Sequence, residues 1–229
     1  MILKFLKELT RSKKPVFFDD LNTTVPISKV FGIDRGTPVD RYYIDQFLKG
    51  HSSDIKGRVL EIADDYYSRK YGSDCVEKYE ILHASPDNCN AAFVGDLTDK
   101  STLLAGEIDC FICTQTFNFI FDVEKAVVGA HHLLKPGGVL LATVAGLSQV
   151  SRYDMDRWGD YWRFTTASVQ RVFEQVFGGG VDVKSYGNVL AACALLQGVA
   201  VEDIPNPALL DDNDPDYQVI ITVVARKAL

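Results

Sequence analysis

The chain has 229 residues, 47% of them hydrophobic and 24% charged, with a net charge of −7. That length suits one domain with its own core, and that composition excludes a disordered chain. The negative charge argues against nucleic acid as a partner, because the basic residues cluster only at the N-terminus.

There, Lys4, Lys7, Arg11, Lys13 and Lys14 surround Ile2, Leu3, Phe5, Leu6 and Leu9. The segment has no uninterrupted apolar core, so it reads as neither a signal peptide nor a membrane span. Its first reading is a short helix docked on or frayed from its own domain. The alternative is peripheral contact with a membrane surface or with a partner such as a glycosyltransferase. Residues 1–35 are taken as this basic segment and a linker, and 36–229 as the domain. The five cysteines, at 75, 89, 110, 113 and 193, show no disulfide-framework spacing, which points to the cytoplasm. Cys110 and Cys113 form a C-x-x-C within an apparent strand, where residues three apart face opposite ways, so no redox or zinc role is expected of them.

At Thr37 the signals predict a helix. Thr37 suits the cap, Pro38 the first helical position and Asp40 the first turn, followed by the apolar stripe Tyr43, Ile44, Phe47, Leu48. From Arg58 strands and helices alternate. Short apolar runs at Val59–Ile62, Tyr79–His83, Ala91–Val94, Asp109–Thr114 and Val139–Val144 read as strands. Asp122 is placed to cap a helix lined by Val123, Ala126, Val127, Ala130, Leu133 and Leu134 and stopped by Lys135-Pro-Gly-Gly138. A second helix follows Thr165 or Thr166 and ends at Gly178–Gly180. Val181–Tyr186 and Gln218–Ala225 read as two final strands, with a helical piece at Val189–Ala200 between them. The pattern implies an α/β, Rossmann-like doubly wound sheet with its ligand crevice at the carboxyl ends of the strands. The informative residues then lie just after each strand, in Ala63–Tyr67, His83–Ser85, Asp96–Thr98, Thr114–Phe117 and Ala145–Trp162.

From about Gly36 onward the chain resembles the class I S-adenosylmethionine (SAM) methyltransferases. Arg58-Val-Leu-Glu-Ile62, Phe93-Val-Gly-Asp-Leu97, Ile108-Asp-Cys-Phe-Ile112 and above all Leu134-Lys-Pro-Gly-Gly-Val-Leu-Leu-Ala142 carry the likeness. Residues 31–44 and 153–165 resemble a subgroup associated with bacterial surface-polysaccharide genes and glycosyltransferases. The resemblance implies a mainly parallel seven-stranded sheet with an antiparallel last strand, SAM as cofactor and no metal. It implies a cofactor site bordered by Arg41, Glu61, Ala63, Asp65, His83, Asp96, Leu97, Thr114 and Gln115.

Two departures stand out. The glycine-rich loop after the first strand is replaced by Ala63-Asp-Asp-Tyr-Tyr67, with no glycine before Gly72. The acid that would bond both ribose hydroxyls is replaced by His83 or, after a small slip, Ser85; neutral imidazole accepts one hydrogen bond and cannot chelate a diol. Weak SAM binding is therefore expected.

Asp64 and Asp65 read equally as ligand contacts and as acids at a helix start, and Asp96 equally as a site residue and a turn residue. Arg35 or Arg41 could pair with the cofactor carboxylate or with a surface acid. The segment from Arg152 to Arg163 holds both tryptophans of the chain. Tyr153, Arg157, Trp158, Tyr161 and Trp162 suit a carbohydrate acceptor, or else a lid that packs the crevice shut. Asp154 or Asp156 is the candidate general base for O-methylation of a sugar hydroxyl. The rival reading is a non-catalytic methyltransferase-like module that scaffolds or regulates glycan assembly. A nicotinamide-dependent oxidoreductase would need a dinucleotide fingerprint that this chain lacks.

Overall fold

A computed structural model describes residues 22–72 and 74–229, so the basic segment at residues 4–14 lies outside the described residues. Seven strands form one sheet: β1 (Gly57–Ile62), β2 (Val76–His83), β3 (Phe93–Val94), β4 (Ile108–Thr114), β5 (Leu134–Ala145), β6 (Val181–Tyr186) and β7 (Ile220–Arg226). Their order is β3-β2-β1-β4-β5-β7-β6, with the first five parallel and β7 antiparallel to both neighbours. The expected doubly wound sheet with an antiparallel last strand is what the chain forms.

Side-chain alternation along β4 divides the core. Phe111 and Cys113 face one layer, with Ala126, Val127 and Ala130 of α3 (Val123–Leu133) and Val169 and Phe173 of α5 (Thr166–Phe177). Cys110 and Ile112 face the other, against Ile44, Phe47 and Leu48 of α1 (Val39–Gly50) and Tyr67 of α2 (Tyr66–Tyr71). The two cysteines thus lie on opposite faces, and burial pushes the Cys113 thiol up to about 12 and the Cys110 thiol also upward. Each fully buried phenylalanine in these layers contributes about 1.5–3 kcal/mol. A third cluster joins Val39 and Tyr43 to Ala191 and Leu195 of α6 (Val189–Gln197).

The local signals account for most boundaries. The Asp122 side chain accepts from Lys125 N to start α3, and Thr165 forms a reciprocal capping box with Ser168 at α5. Two expectations need correction. Thr37 does not cap α1: Pro38 is the cap residue, and Thr37 instead bonds Glu202 through Oγ1 (2.7 Å) and its amide (2.7 Å). Lys135-Pro-Gly-Gly138 does not separate helix from strand, because β5 already begins at Leu134, which pairs with Ile108. A register shift in β4 between Ile108 and Cys110 accommodates this stretch, so the turn-like sequence lies inside a strand.

Candidate functional site

The carboxyl ends of β1, β2, β4 and β5 and the loop after β3 open into one cavity of about 700 Å³. Within ligand-pocket norms this is ample for a nucleoside-sized molecule with a second small ligand beside it. Its floor is set by β1. Glu61 at the end of that strand is buried, and its carboxylate accepts from Tyr67 N (3.1 Å) and Ser68 N (2.7 Å). Those amides belong to the first turn of α2, which would otherwise leave them unsatisfied. Burial pushes the Glu61 carboxyl up to about 7, against the opposing effect of those hydrogen bonds.

Ala63 follows with φ +70°, the left-handed conformation that favours glycine. Its amide donates to Leu82 O (3.1 Å) and its carbonyl accepts from Asn88 Nδ2 (2.7 Å), so the strained residue is held from both sides. The loop has lost its glycine and kept the backbone shape that glycine serves. The other two non-glycine residues with positive φ among the described residues, Phe31 (+62°) and Gln115 (+48°), also line this cavity. Strain gathered at one concave site is a mark of function.

Arg41, Glu61, Ala63, His83, Asp96, Leu97, Thr114 and Gln115 all border the cavity. Asp65 does not: it is engaged by Arg69 (2.7 Å), and Asp64 lines the wall in its place. Arg41 comes from α1 and donates through Nη1 to the hydroxyl of Tyr67 (3.1 Å). Arg35 lies elsewhere, in a two-bond pair with Asp203. The Tyr67 ring is packed into the core with only its hydroxyl end toward Arg41, and Tyr66 is exposed, so neither ring fills the cavity. His83 ends β2 with Nδ1 2.8 Å from Ser85 O. Asp96 uses Oδ1 to accept from Thr98 N and Oγ1, both at 2.8 Å, so it fixes its own turn while facing the cavity.

The far wall comes from residues 148–163. Asp160, nearly fully buried, takes Arg163 Nη1 at 2.5 Å and Nη2 at 2.9 Å and accepts from Ser151 N at 2.9 Å. Burial opposes ionisation there, yet Arg163 and the Ser151 amide hold the Asp160 carboxyl below its usual range. Arg163 also donates to the carbonyls of Ser148 and Gln149. Asn118 O accepts from Tyr161 N and Trp162 N, which ties the segment to the end of β4. Trp158 sets the edge of its indole against His83, 5.9 Å between ring centres, and so bridges the far wall to β2.

Of the proposed acceptor residues, Asp154, Trp158 and Tyr161 line the cavity. The others are elsewhere. Asp156 pairs with Arg152 (3.2 Å), Tyr153 lies under the Arg157 guanidinium, and the Trp162 indole donates to Ile120 O (3.1 Å) while stacking on Phe121. Asp154 lies in the α4 turn (Arg152–Met155), which points it at the cavity while its neighbour Tyr153 packs under Arg157 outside it. Sequence reasoning assigned no site role to Asn118 and Phe31, and it grouped Asp160 and Arg163 with the acceptor segment without seeing that they pair. The i, i+3 spacing of Asp160 and Arg163 was the available signal for that clamp.

The wall holds seven carboxylates and two guanidinium groups, which favours neutral or cationic ligands over phosphorylated ones. Among the described residues no group of three or more His, Cys, Asp or Glu side chains is arranged to hold a metal ion, and no helix is long and apolar enough to cross a membrane.

Residues 55–142, which run from the lead-in of β1 into β5, match the family described as methyltransferase domain. No curated protein matches the chain. Among solved structures, Haemonchus contortus phosphoethanolamine N-methyltransferase 2 in complex with S-adenosyl-L-methionine superposes with a TM-score of 0.55 at 13% identity, over 82% of this chain and 53% of its own. The chain thus spans about half the length of that protein. A SAM-dependent methyltransferase from Mesorhizobium loti gives 0.54 at 15% identity, over 79% and 95%, and one from Archaeoglobus fulgidus 0.54 at 11%, over 82% and 94%. Residues 55–142 are thus similar to a methyltransferase domain, and the chain adopts the class I methyltransferase fold.

Proposed function

We propose that the protein is a SAM-dependent methyltransferase that methylates a hydroxyl of a sugar or glycan-related acceptor. One observation carries the first half of this reading: the strands matched by the methyltransferase family are those whose ends frame the cavity. The residues present fit the cofactor. Ala63 keeps the backbone shape of a glycine loop, Arg41 offers a cation for a carboxylate, and the acid-rich wall suits a ligand bearing a sulfonium and an ammonium group. Bound there, SAM would supply an electrophilic methyl group on a positively charged sulfur.

The chain's own residues then have separable tasks. His83 and Asp96 border the ends of β2 and β3, where a nucleoside is held, and the imidazole gives the ribose one hydrogen bond where a carboxylate would give two. The 148–163 segment, clamped by Asp160 and Arg163, forms the far wall of the crevice. Trp158 and Tyr161 present flat apolar faces to sugar rings, which supports the glycan half of the reading. Asp154 is the base candidate that faces the cavity; its Oδ2 accepts from Ser151 Oγ at 2.5 Å, which orients the carboxylate toward a hydroxyl proton. Asp156, paired with Arg152, is set aside for that role.

Incubation with S-[methyl-³H]adenosylmethionine and a panel of neutral glycosides and oligosaccharides tests the reading. Label should enter a glycoside, and D154N should cut kcat by about 10²–10⁴-fold, the range for a lost general base. Label entering only amines, or a D154N rate near wild type, would remove the sugar-hydroxyl assignment.

A further inference from the structure

Among the described residues, one buried side-chain polar atom at the cavity has no hydrogen-bond partner. Gln115 Nε2 is buried and makes no hydrogen bond, although the residue lines the cavity in a strained backbone conformation at φ +48°. An amide left in that state costs about 1–3 kcal/mol, so a chain that keeps it has a use for it.

Its orientation is set by neighbours. The Ala145 amide is a donor only, so the atom of Asn118 that faces it at 3.1 Å must be Oδ1. Asn118 Nδ2 is then the donor toward Gln115, at 3.0 Å, and the Gln115 atom that accepts must be Oε1. The NH₂ group of Gln115 is left as a donor with nothing protein-borne to receive it. Backbone bonds fix the residue in place, with Gln115 N donating to Thr143 O at 2.9 Å, between the ends of β4 and β5.

That position decides what the donor is for. Gln115 follows β4 beside β5, two strands from β2 in the sheet, so a nucleoside held at the ends of β2 and β3 would leave the space over β4 and β5 for its reaction partner. We propose that Gln115 Nε2 holds an oxygen of the methyl acceptor, with Asn118 as the positioning residue that keeps the amide turned that way. The proposal rests on the cofactor placement given above and adds to it the polar group that selects the acceptor.

Two substitutions separate donor from scaffold. Q115E keeps an oxygen toward Asn118 and replaces the donor by a charged acceptor oxygen. N118D keeps the bond to Ala145 and takes away the donor that faces Gln115, so the Gln115 amide turns over. Both should leave the affinity for S-adenosylhomocysteine within about twofold and lower kcat/KM for a methylated glycoside by about 10- to 100-fold, mainly through KM.

Side-chain amide ¹H–¹⁵N spectra give a readout that a structural role would not move. S-adenosylhomocysteine should shift the Ala63 backbone amide and leave the Gln115 NH₂ pair in place; a glycoside substrate added to that complex should then move the pair. If S-adenosylhomocysteine alone moves the Gln115 pair, the donor serves the cofactor and the proposal is overturned while the cofactor placement stands. An Ala63 amide that does not respond removes the cofactor placement and the proposal with it. Unchanged glycoside kinetics in Q115E overturn the proposal alone.

Discussion

Ala63 shows how a single residue can depart from a sequence pattern without changing the shape that pattern encodes. A left-handed alanine costs about 1–2 kcal/mol, and glycine at the same place gives back about 0.5–1 kcal/mol through the freedom of the unfolded chain. A63G should therefore be neutral to stabilising by up to about 1.5 kcal/mol in denaturant unfolding, with no loss of S-adenosylhomocysteine affinity. Destabilisation would mean the methyl group makes a contact that the strain argument omits. Glu61 allows a second test. Its carboxyl titrates near 7 in the folded protein against an ordinary 4.5, so between those values the folded state holds a proton that the unfolded chain has released. The stability this group confers is greatest below pH 4.5 and declines as pH rises toward 7. The stability of wild type relative to E61Q should fall across that window, and a difference that stays flat or rises would contradict the burial account.

At the scale of elements, α3 and the loop after β3 are in closer contact than their sequences advertise. A Cβ built on Gly129 would lie 2.0 Å from Leu97 O, so G129A forces α3 away from the loop that carries Asp96. The cost should be about 1–3 kcal/mol, as for an overpacked core, with cofactor affinity weakened as Asp96 shifts. An alanine variant as stable as wild type would refute that contact. Periodicity and capping residues made most elements legible: Asp122, Thr165 and the stripe of α5 all act as their spacing suggested. Legibility failed where long-range contacts outbid local signals. Thr37 is drawn to Glu202, across the fold, and the turn-like Lys135-Pro-Gly-Gly138 is held in a strand by the pairing of Leu134 and Val139 with β4 on either side and by the bonds of Gly137 and Gly138 to Lys227. The site was legible in the same uneven way. Strand-end residues fell on one cavity because every parallel strand ends on the same side, whereas Asp65 and Asp156 point to partners four residues away and Trp162 to the distant Ile120 carbonyl, which no strand pattern encodes. The reach of Phe31 to the cavity depends on residues 28–32 packing against α6 and Gly198, a contact of very high sequence separation.

For the whole molecule, the fold supplies a rigid frame and the departures from the family pattern adjust what that frame binds. The sheet from β2 to β5 presents a continuous row of strand ends, the 148–163 wall flanks it, and the lining is rich in acids. His83 is the departure with the clearest energetic consequence. Restoring a carboxylate there adds a charged hydrogen bond to a ribose diol, about 1–3 kcal/mol, or about a ten- to hundredfold gain in affinity. Isothermal titration of wild type and H83D with S-adenosylhomocysteine tests most directly whether this cavity is the proposed cofactor site. Single-site binding to wild type and tighter binding to H83D by that factor are expected; absence of heat with both proteins, for S-adenosylhomocysteine and for SAM alike, would contradict a cofactor site here.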